Sequence, residues 1–235
     1  MKKQNLNKNN GFSLIELSIV LIIMGLLIAG IVGGQSLIES GKTRGIINEI
    51  ENIKRSVNAY YVAKGRLPGD PNNTGIISGP WLSSFPSDYN FTTNYAQNVT
   101  AENAAFYEMN KEGIFEYDVD TEEYKNNNEN NETKKQHVSK IVKNAYYQFA
   151  YLEPIDNDGL FDNLTNKNLL DFNINYANPS LKMIKSIDQK MDDGIQKTGN
   201  VRGDCYKSND NSPANLSNNY DEAIICYSLS TALSV

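Results

Sequence analysis

One acidic residue lies at the edge of a long apolar stretch near the N-terminus. Glu16 precedes the run Leu17–Ile38, which carries no charged side chain. About 20 apolar residues in a helix span the hydrocarbon core of a bilayer. A carboxylate near the centre of such a helix costs about 2.5–3.5 kcal/mol, and such groups are usually paired. Glu16 is therefore a candidate functional residue whose expected partner is a cation.

Other residue types that could carry out chemistry are scarce. The chain has one histidine, His137, and two cysteines. This set supplies a histidine-based metal centre, a zinc ribbon and a Ser-His-Asp triad only poorly. We therefore predict no enzymatic activity and no catalytic residues, and we expect His137 to be a solvated surface residue.

Two acidic turns are candidate cation sites. Asp156 and Asp158 belong to a DNDG sequence that resembles the start of a calcium loop, with hard oxygen ligands and a glycine for the turn. A complete EF-hand loop needs a glutamate at its twelfth position, where this chain has Lys167. The sequence DDG at 192–194 is a second acidic turn. We interpret both sequences as Asx-rich turns. The alternative is calcium binding at Asp156 and Asp158, and we expect no other cofactor.

Charge and composition limit the class of protein. The 235 residues are 40% apolar with a net charge of −6, which argues against a duplex-DNA binder because such a protein needs a basic face. Three lysines, Lys2, Lys3 and Lys8, precede the apolar run, so the positive-inside rule predicts a cytoplasmic N-terminus and an extracytoplasmic remainder. That compartment can be oxidising, which suits a disulfide between Cys205 and Cys226, with two free buried thiols as the alternative.

The N-terminal segment differs from an ordinary signal peptide, in which the small residue of the cleavage site follows the apolar core. Here residues 11–17 read GFSLIEL, so the small residue Gly11 precedes the core and follows a basic leader. This arrangement resembles the cleavage and methylation motif of type IV prepilins and type II secretion pseudopilins. The resemblance implies a cut between Gly11 and Phe12, methylation of the Phe12 amine, and pairing of Glu16 with the N-terminal amine of a neighbouring subunit. Pairing within one helix is also conceivable, because Phe12 and Glu16 are four residues apart.

The same resemblance implies partners and a location. The partners are a prepilin peptidase, other pilin or pseudopilin subunits, an inner-membrane assembly platform and the membrane itself, with no nucleic acid. The chain would cross the bacterial inner membrane once, with a periplasmic head, before it enters a pilus or pseudopilus. The long head favours a minor pilin or pseudopilin, and Cys205–Cys226 resembles the C-terminal disulfide of many pilins. The alternative is a periplasmic protein with an ordinary signal anchor, which could be an enzyme.

The expected fold is α+β. After a cleaved leader at 1–11, we predict an N-terminal helix over 12–64 with a transmembrane part at about 17–38, and a head over 65–235 that contains an antiparallel sheet. Beyond the membrane, apolar residues at three- and four-residue spacing form one stripe. Its members are Ile46, Ile50, Ile53, Val57 and Tyr60. Gly65 and the following RLPGD sequence should end the helix, and LPGD resembles a stretch found after the helix in some pilin-like proteins.

The head pattern predicts further elements by the same periodicities. The predicted helices cover 101–112, 138–152 and 179–191. The predicted strands cover 114–119, 170–176, 201–206 and 223–229.

Overall fold

A computed structural model describes most of the chain. The described residues are 13–71, 73–77, 104–116, 137–143, 145–151, 167–174, 181–207, 217, 219–223 and 225–233. The chain divides into two units, Met1–Gly41 and Lys42–Val235.

Helix α1, Leu14–Lys64, contributes to both units. In the first unit its large apolar side chains, from Leu14 to Ile38, are exposed on every side of the helix. In the second unit the predicted stripe is buried, from Ile46 at 0% exposure to Tyr60 at 2%. The long helix and its apolar stripe are thus confirmed.

Two glycines shape the exit from α1. Gly65 has a φ of 71°, and its N–H donates to the Tyr61 carbonyl at 2.8 Å. It is the glycine in left-handed conformation that commonly follows the last residue of a helix. Gly69 also has a positive φ, of 73°, and a Cβ there would lie 3.0 Å from the Ala105 backbone nitrogen. Both positions therefore favour glycine, and the chain turns sharply where the sequence predicted the end of the helix.

In its described residues the head is built on an antiparallel sheet, which confirms the α+β prediction. Its strands are β1 (His137–Val138), β2 (Ala145–Tyr151), β3 (Asn168–Ile174), β4 (Val201–Tyr206) and β5 (Ile225–Ala232). They pair in the order β1-β2-β3-β5-β4, and each neighbouring pair is antiparallel. Among the described residues, two shorter helices accompany the sheet, α2 (Ala104–Lys111) and α3 (Leu181–Met191).

The main hydrophobic core joins these elements. The stripe of α1 shares it with Phe149 of β2, Phe172 of β3 and Leu229 of β5, all fully buried. Helices α2 and α3 add Phe106 and Ile184 to the same cluster. Since burying one such side chain stabilises a fold by about 1.5–3 kcal/mol, the second part of α1 is an integral element of the head.

The helix predicted over 138–152 is wrong. Its described residues form β1, a short turn and β2. Along β2, Ala145, Tyr147 and Phe149 are buried while Tyr146 and Gln148 between them are half-buried, which is the two-residue period of a strand. The apolar residues of this segment have helical spacing, but the segment forms a strand because it pairs with β3. Its aromatic residues also favour a strand.

The strand predicted over 114–119 is also wrong for residues 114–116, which lie outside the sheet, while 117–119 fall outside the described residues. His137 was expected on the solvated surface but is half-buried in β1. Its ring lies 5.1 Å from that of Phe106 and 4.9 Å from that of Phe115, centroid to centroid. Burial, and secondarily the charge of Lys140, lowers the pKa of His137 to about 4.

A carboxylate ties the end of α1 to α2. Glu108 of α2 accepts hydrogen bonds from the Tyr60 hydroxyl at 2.9 Å and from the Gly69 N–H at 2.9 Å. Arg66 donates to both of its oxygens, at 2.9 and 3.1 Å. Burial opposes ionisation of Glu108, but these bonds outweigh it and hold its pKa below the usual value. The RLPGD segment thus has a structural role, since Arg66 and Gly69 both bind Glu108 and Asp70 closes the next turn by accepting from Thr74 and Gly75.

A second carboxylate ties the start of the buried stripe to the sheet. Glu49 of α1 accepts from the Ser139 hydroxyl at 2.7 Å, the Lys140 N–H at 2.8 Å and the Tyr147 hydroxyl at 2.7 Å. Burial and the neighbouring Glu49 charge raise the pKa of Tyr147, so its phenol stays a donor. Glu49 therefore fixes α1 against both β2 and the turn that precedes it.

The predicted disulfide joins the last two strands. Cys205 of β4 and Cys226 of β5 are bonded and lie opposite one another, with both side chains buried in the core. Leu229 faces Gly203 whereas Cys226 faces Cys205, so β5 has one more residue than β4 between these pairs. This bulge turns Cys226 to the core side, which a regular alternation from Leu229 would not do. The cross-link closes a loop of a length for which about 3 kcal/mol of stabilisation is typical.

A polar row crosses the other face of the sheet. Gln148, Asp171, Ser230 and Arg202 are successive cross-strand neighbours in β2, β3, β5 and β4. Asp171 is buried, and one of its oxygens, Oδ1, has no hydrogen-bond partner. Burial raises its pKa to about 6, although bonds with Ser230 and Gln148 act in the opposite direction.

The raised pKa of Asp171 predicts a pH effect on stability. Between about pH 4 and 6 the Asp171 carboxyl binds its proton more tightly in the folded state than in the unfolded state. The contribution of Asp171 to the free energy of unfolding should therefore fall as pH rises. We expect Asp171→Asn to be more stable than wild type at pH 7, by roughly 1–3 kcal/mol, and to gain little at pH 4. Urea unfolding in detergent at both pH values, followed by circular dichroism, measures this difference.

The matched control is Glu116→Gln, which neutralises an exposed carboxylate. It should follow the wild-type pH profile, and the contributions of His137 and Asp188 are common to all three proteins. An Asp171→Asn protein less stable than wild type at pH 7 would contradict the interpretation.

Candidate functional site

Glu16 lies in the first turn of α1, where it forms a reciprocal cap with Ser13. The Ser13 N–H donates to Glu16 Oε2 at 2.9 Å, and the Ser13 hydroxyl accepts from the Ile15 N–H at a longer 3.4 Å. This is a variant of the S-x-x-E capping box, because the serine hydroxyl binds the N–H of the second helical residue, Ile15. It satisfies backbone donors that a helix start leaves without partners. The carboxylate also lies at the positive end of the helix dipole.

Ser13 was not among the functional residues predicted from the sequence. The SLIE sequence at 13–16 immediately before an apolar run carries the signal, because a serine followed three residues later by a glutamate marks a helix start. Gly11 and Phe12, the expected cleavage and methylation residues, lie outside the described residues. Their roles therefore remain predictions from the sequence.

The helix that follows Glu16 has the length and composition of a membrane span. Among the described residues one helix, α1, passes this test, and its most apolar window is fully exposed within the protein. An apolar surface on every side of a helix is typical of a segment whose solvent is lipid. Glu16 thus stands where a polar helix start meets an apolar segment.

The DDG turn brings three acidic side chains together. Oxygens of Asp188, Asp192 and Asp193 lie within 4.8 Å of one another. Asp188 accepts from the Gly194 N–H and the Tyr220 hydroxyl, at 3.2 and 2.7 Å. Burial raises the pKa of Asp188 to about 6, while the Tyr220 bond opposes this shift.

The other two carboxylates organise the backbone around them. Asp192 accepts from the N–H groups of Asn200 and, at 3.1 Å, Val201, while Asp193 accepts from Ile195 at 2.8 Å and from the Thr198 hydroxyl. These are the bonds of a structural turn that leads into β4.

The negative charge of Asp192 also acts on a basic side chain of α1. Burial lowers the pKa of Lys54 of α1, against the attraction of Glu51 and Asp192. The calcium candidates Asp156 and Asp158 lie outside the described residues. The carboxylates of the described acidic cluster thus accept hydrogen bonds from groups of the protein itself.

Comparison with known families identifies the N-terminal segment. Residues 6–32 match the family model described as the prokaryotic N-terminal methylation motif. This supports membership of the prepilin class that includes type IV pilins and pseudopilins, and it points to a structural pilin-like protein. The motif and the apolar helix together fit a subunit anchored in the inner membrane, processed by a peptidase and assembled with other pilin-like subunits. No curated protein and no solved structure matches the chain.

The hydrogen bonds of the acidic turn predict its response to calcium. We expect millimolar calcium or a chelator to leave the melting temperature of the head unchanged, because the carboxylates already bind protein donors. Asp192→Ala should lower the free energy of unfolding by about 0.5–1.5 kcal/mol, since the Asn200 and Val201 N–H groups lose their acceptor. Thermal unfolding with and without calcium measures both effects. A calcium-dependent rise in the melting temperature that Asp192→Ala abolishes would instead identify a metal site.

Proposed function

We propose that this chain is a structural subunit of a type IV pilus or a type II secretion pseudopilus. The observation that carries the proposal is the methylation motif at residues 6–32, with Glu16 in the first turn of a helix long enough to cross a bilayer. The length of the head favours a minor pilin or a pseudopilin. The subunit has no catalytic activity of its own.

In this proposal a prepilin peptidase cuts between Gly11 and Phe12 and methylates the new amine. The cut removes the basic leader and creates a cation on Phe12. That cation and the Glu16 carboxylate are each costly in an apolar environment, but together they compensate if their geometry and hydrogen bonds are good. The charge pair is thus completed only after cleavage.

Capping by Ser13 is compatible with a pair between subunits. The Ser13 N–H occupies one position on Glu16 Oε2, and an ionised carboxylate offers about four acceptor positions on its two oxygens. Glu16 can therefore keep its helix cap while it binds the amine of a neighbouring Phe12. Such a bond sets the axial register between two helices, whereas apolar packing alone is non-directional.

The proposed location follows from the same chemistry. The N-terminus is cytoplasmic, α1 crosses the inner membrane once, and the head is periplasmic, where an oxidising environment suits the Cys205–Cys226 bond. An inner-membrane assembly platform would move the subunit into the filament. The acidic net charge of −6 disfavours a nucleic-acid ligand.

Processing is the first test of this proposal. N-terminal sequencing of the mature protein should begin at Phe12 with a methylated amine. Gly11→Val should accumulate the precursor, because a branched side chain obstructs the peptidase at the cut. A mature chain that begins near Gln35 would indicate an ordinary signal peptidase and would support the signal-anchor alternative.

Assembly is tested separately through Glu16. Glu16→Leu should still insert and be cleaved, since it removes a charge from the membrane segment and leaves the Gly11–Phe12 junction intact. Its incorporation into filaments should fall sharply, because the neighbouring amine loses its partner. Glu16→Asp should be intermediate, and Glu39→Leu, which removes a charge from the same helix outside the apolar run, is the matched control.

Blots of sheared filaments beside the membrane pool measure incorporation. If Glu16→Leu enters filaments as well as wild type, Glu16 does not direct assembly and apolar helix packing is sufficient.

A further inference from the structure

A short turn of the head lies against α1 just after the apolar segment. The turn, Ser139–Lys143, is held by the bonds from Ser139 and Lys140 to Glu49. At its centre, Ile141 lies so close to α1 that a Cβ on Gly45 would be 2.9 Å from Ile141 Cδ1. Ile141 nevertheless remains 38% exposed. We call this segment the neck turn.

Basic residues surround the neck turn. Lys42 and Arg44 lie within three residues of Gly45 on α1, and Lys140 and Lys143 flank Ile141; all four are exposed. We call these four residues the basic collar. The collar contrasts with the net charge of −6 of the whole chain.

The acidic residues near the collar do not cancel it. Glu49 is engaged by its three donors within the head. Glu116 lies 3.6 Å from Lys140, but their side chains are 90% and 72% exposed, and such pairs contribute little. Glu39 is the remaining acidic residue on the adjacent stretch of α1, so positive charge predominates among the residues that the structure describes around the collar.

The position of the collar in the chain brings it close to lipid. Helix α1 is continuous, and Lys42 follows the last residue of the apolar run, Ile38, by four residues, or about 6 Å along the helix. If the head is periplasmic, lysine and arginine on this side act against the positive-inside preference. Their presence there calls for another role.

We propose that the basic collar and Ile141 form a surface that binds the anionic headgroups of the membrane in which α1 is anchored. The cations attract acidic phospholipids at the bilayer surface, and an exposed apolar side chain between them can enter the interface. The surface holds the head of an unassembled subunit against the bilayer. It is released when the subunit enters a filament and leaves the lipid. This inference rests on the proposed membrane anchorage.

Lysine footprinting of the full chain in nanodiscs tests the proposal. A water-soluble acylating reagent is applied in phosphatidylcholine nanodiscs and in nanodiscs that also contain phosphatidylglycerol, and mass spectrometry measures acylation of each lysine. We expect the anionic lipid to reduce acylation of Lys42, Lys140 and Lys143. The exposed Lys167 and Lys190, outside the collar, should react equally in both lipids. High salt should restore acylation of the collar, because it screens exposed charges.

Two double charge-reversal variants test whether the collar lysines of the neck turn cause this protection. Lys140→Glu with Lys143→Glu should abolish the lipid-dependent protection of Lys42. Lys167→Glu with Lys190→Glu, which changes the net charge equally, should leave that protection intact.

The outcomes separate this inference from the proposed function. A chain that enters nanodiscs but shows equal collar acylation in both lipids would overturn the lipid surface alone. A chain that does not enter nanodiscs would overturn the membrane anchorage and this inference with it. Protection that persists at high salt or in the Lys140→Glu, Lys143→Glu variant would indicate another cause and also overturn it.

Discussion

The structure of this protein depends on one constraint, which is that the single helix α1 must suit both lipid and the core of the head. Up to Ile38, α1 is apolar on every side and exposes that surface. From Thr43 onwards only one side of the helix is buried, and the polar residues lie largely off it. A uniform apolar surface suits lipid, whereas a stripe suits a helix with a core on one side and water on the other. The change from one pattern to the other within an unbroken helix links anchorage to the folding of the head.

Partly buried carboxylates complement this apolar packing. Hydrophobic contact stabilises the helix in the head but permits small rotations and shifts, because it is non-directional. Glu49 near one end of the stripe and Glu108 beside the other each accept several hydrogen bonds of defined geometry. Because removal of either carboxylate would leave partly buried donors without an acceptor, these ties define the position of α1 within the head. The same requirement explains why the RLPGD exit contains both an arginine and a glycine.

The acidic turn and the disulfide both hold β4, the strand at one edge of the sheet. Asp192 accepts a hydrogen bond from the Val201 N–H at the start of β4. The Cys205 carbonyl accepts from Ser217 at 2.9 Å, and Cys205 is cross-linked to β5. Side chains and a neighbouring segment thus occupy groups that an edge strand would otherwise offer to another chain. A cluster that resembles a cation site in the sequence is in this way part of the sheet's edge.

The sequence alone determined the features that depend on neighbouring residues. The N-terminal motif, the continuous α1 with its end at Gly65, the alternation of β3 and the elements at 181–191 and 201–206 follow from local spacing, caps and turns. Tertiary structure decided the rest. Residues 145–151 became strand β2 because β3 pairs with them, and His137 is half-buried against aromatic rings distant in sequence. Glu49 and Tyr147 are 98 residues apart, and a bulge sets the side on which Cys226 lies. Local periodicity contains no information on such contacts, because they arise only when distant segments pack together.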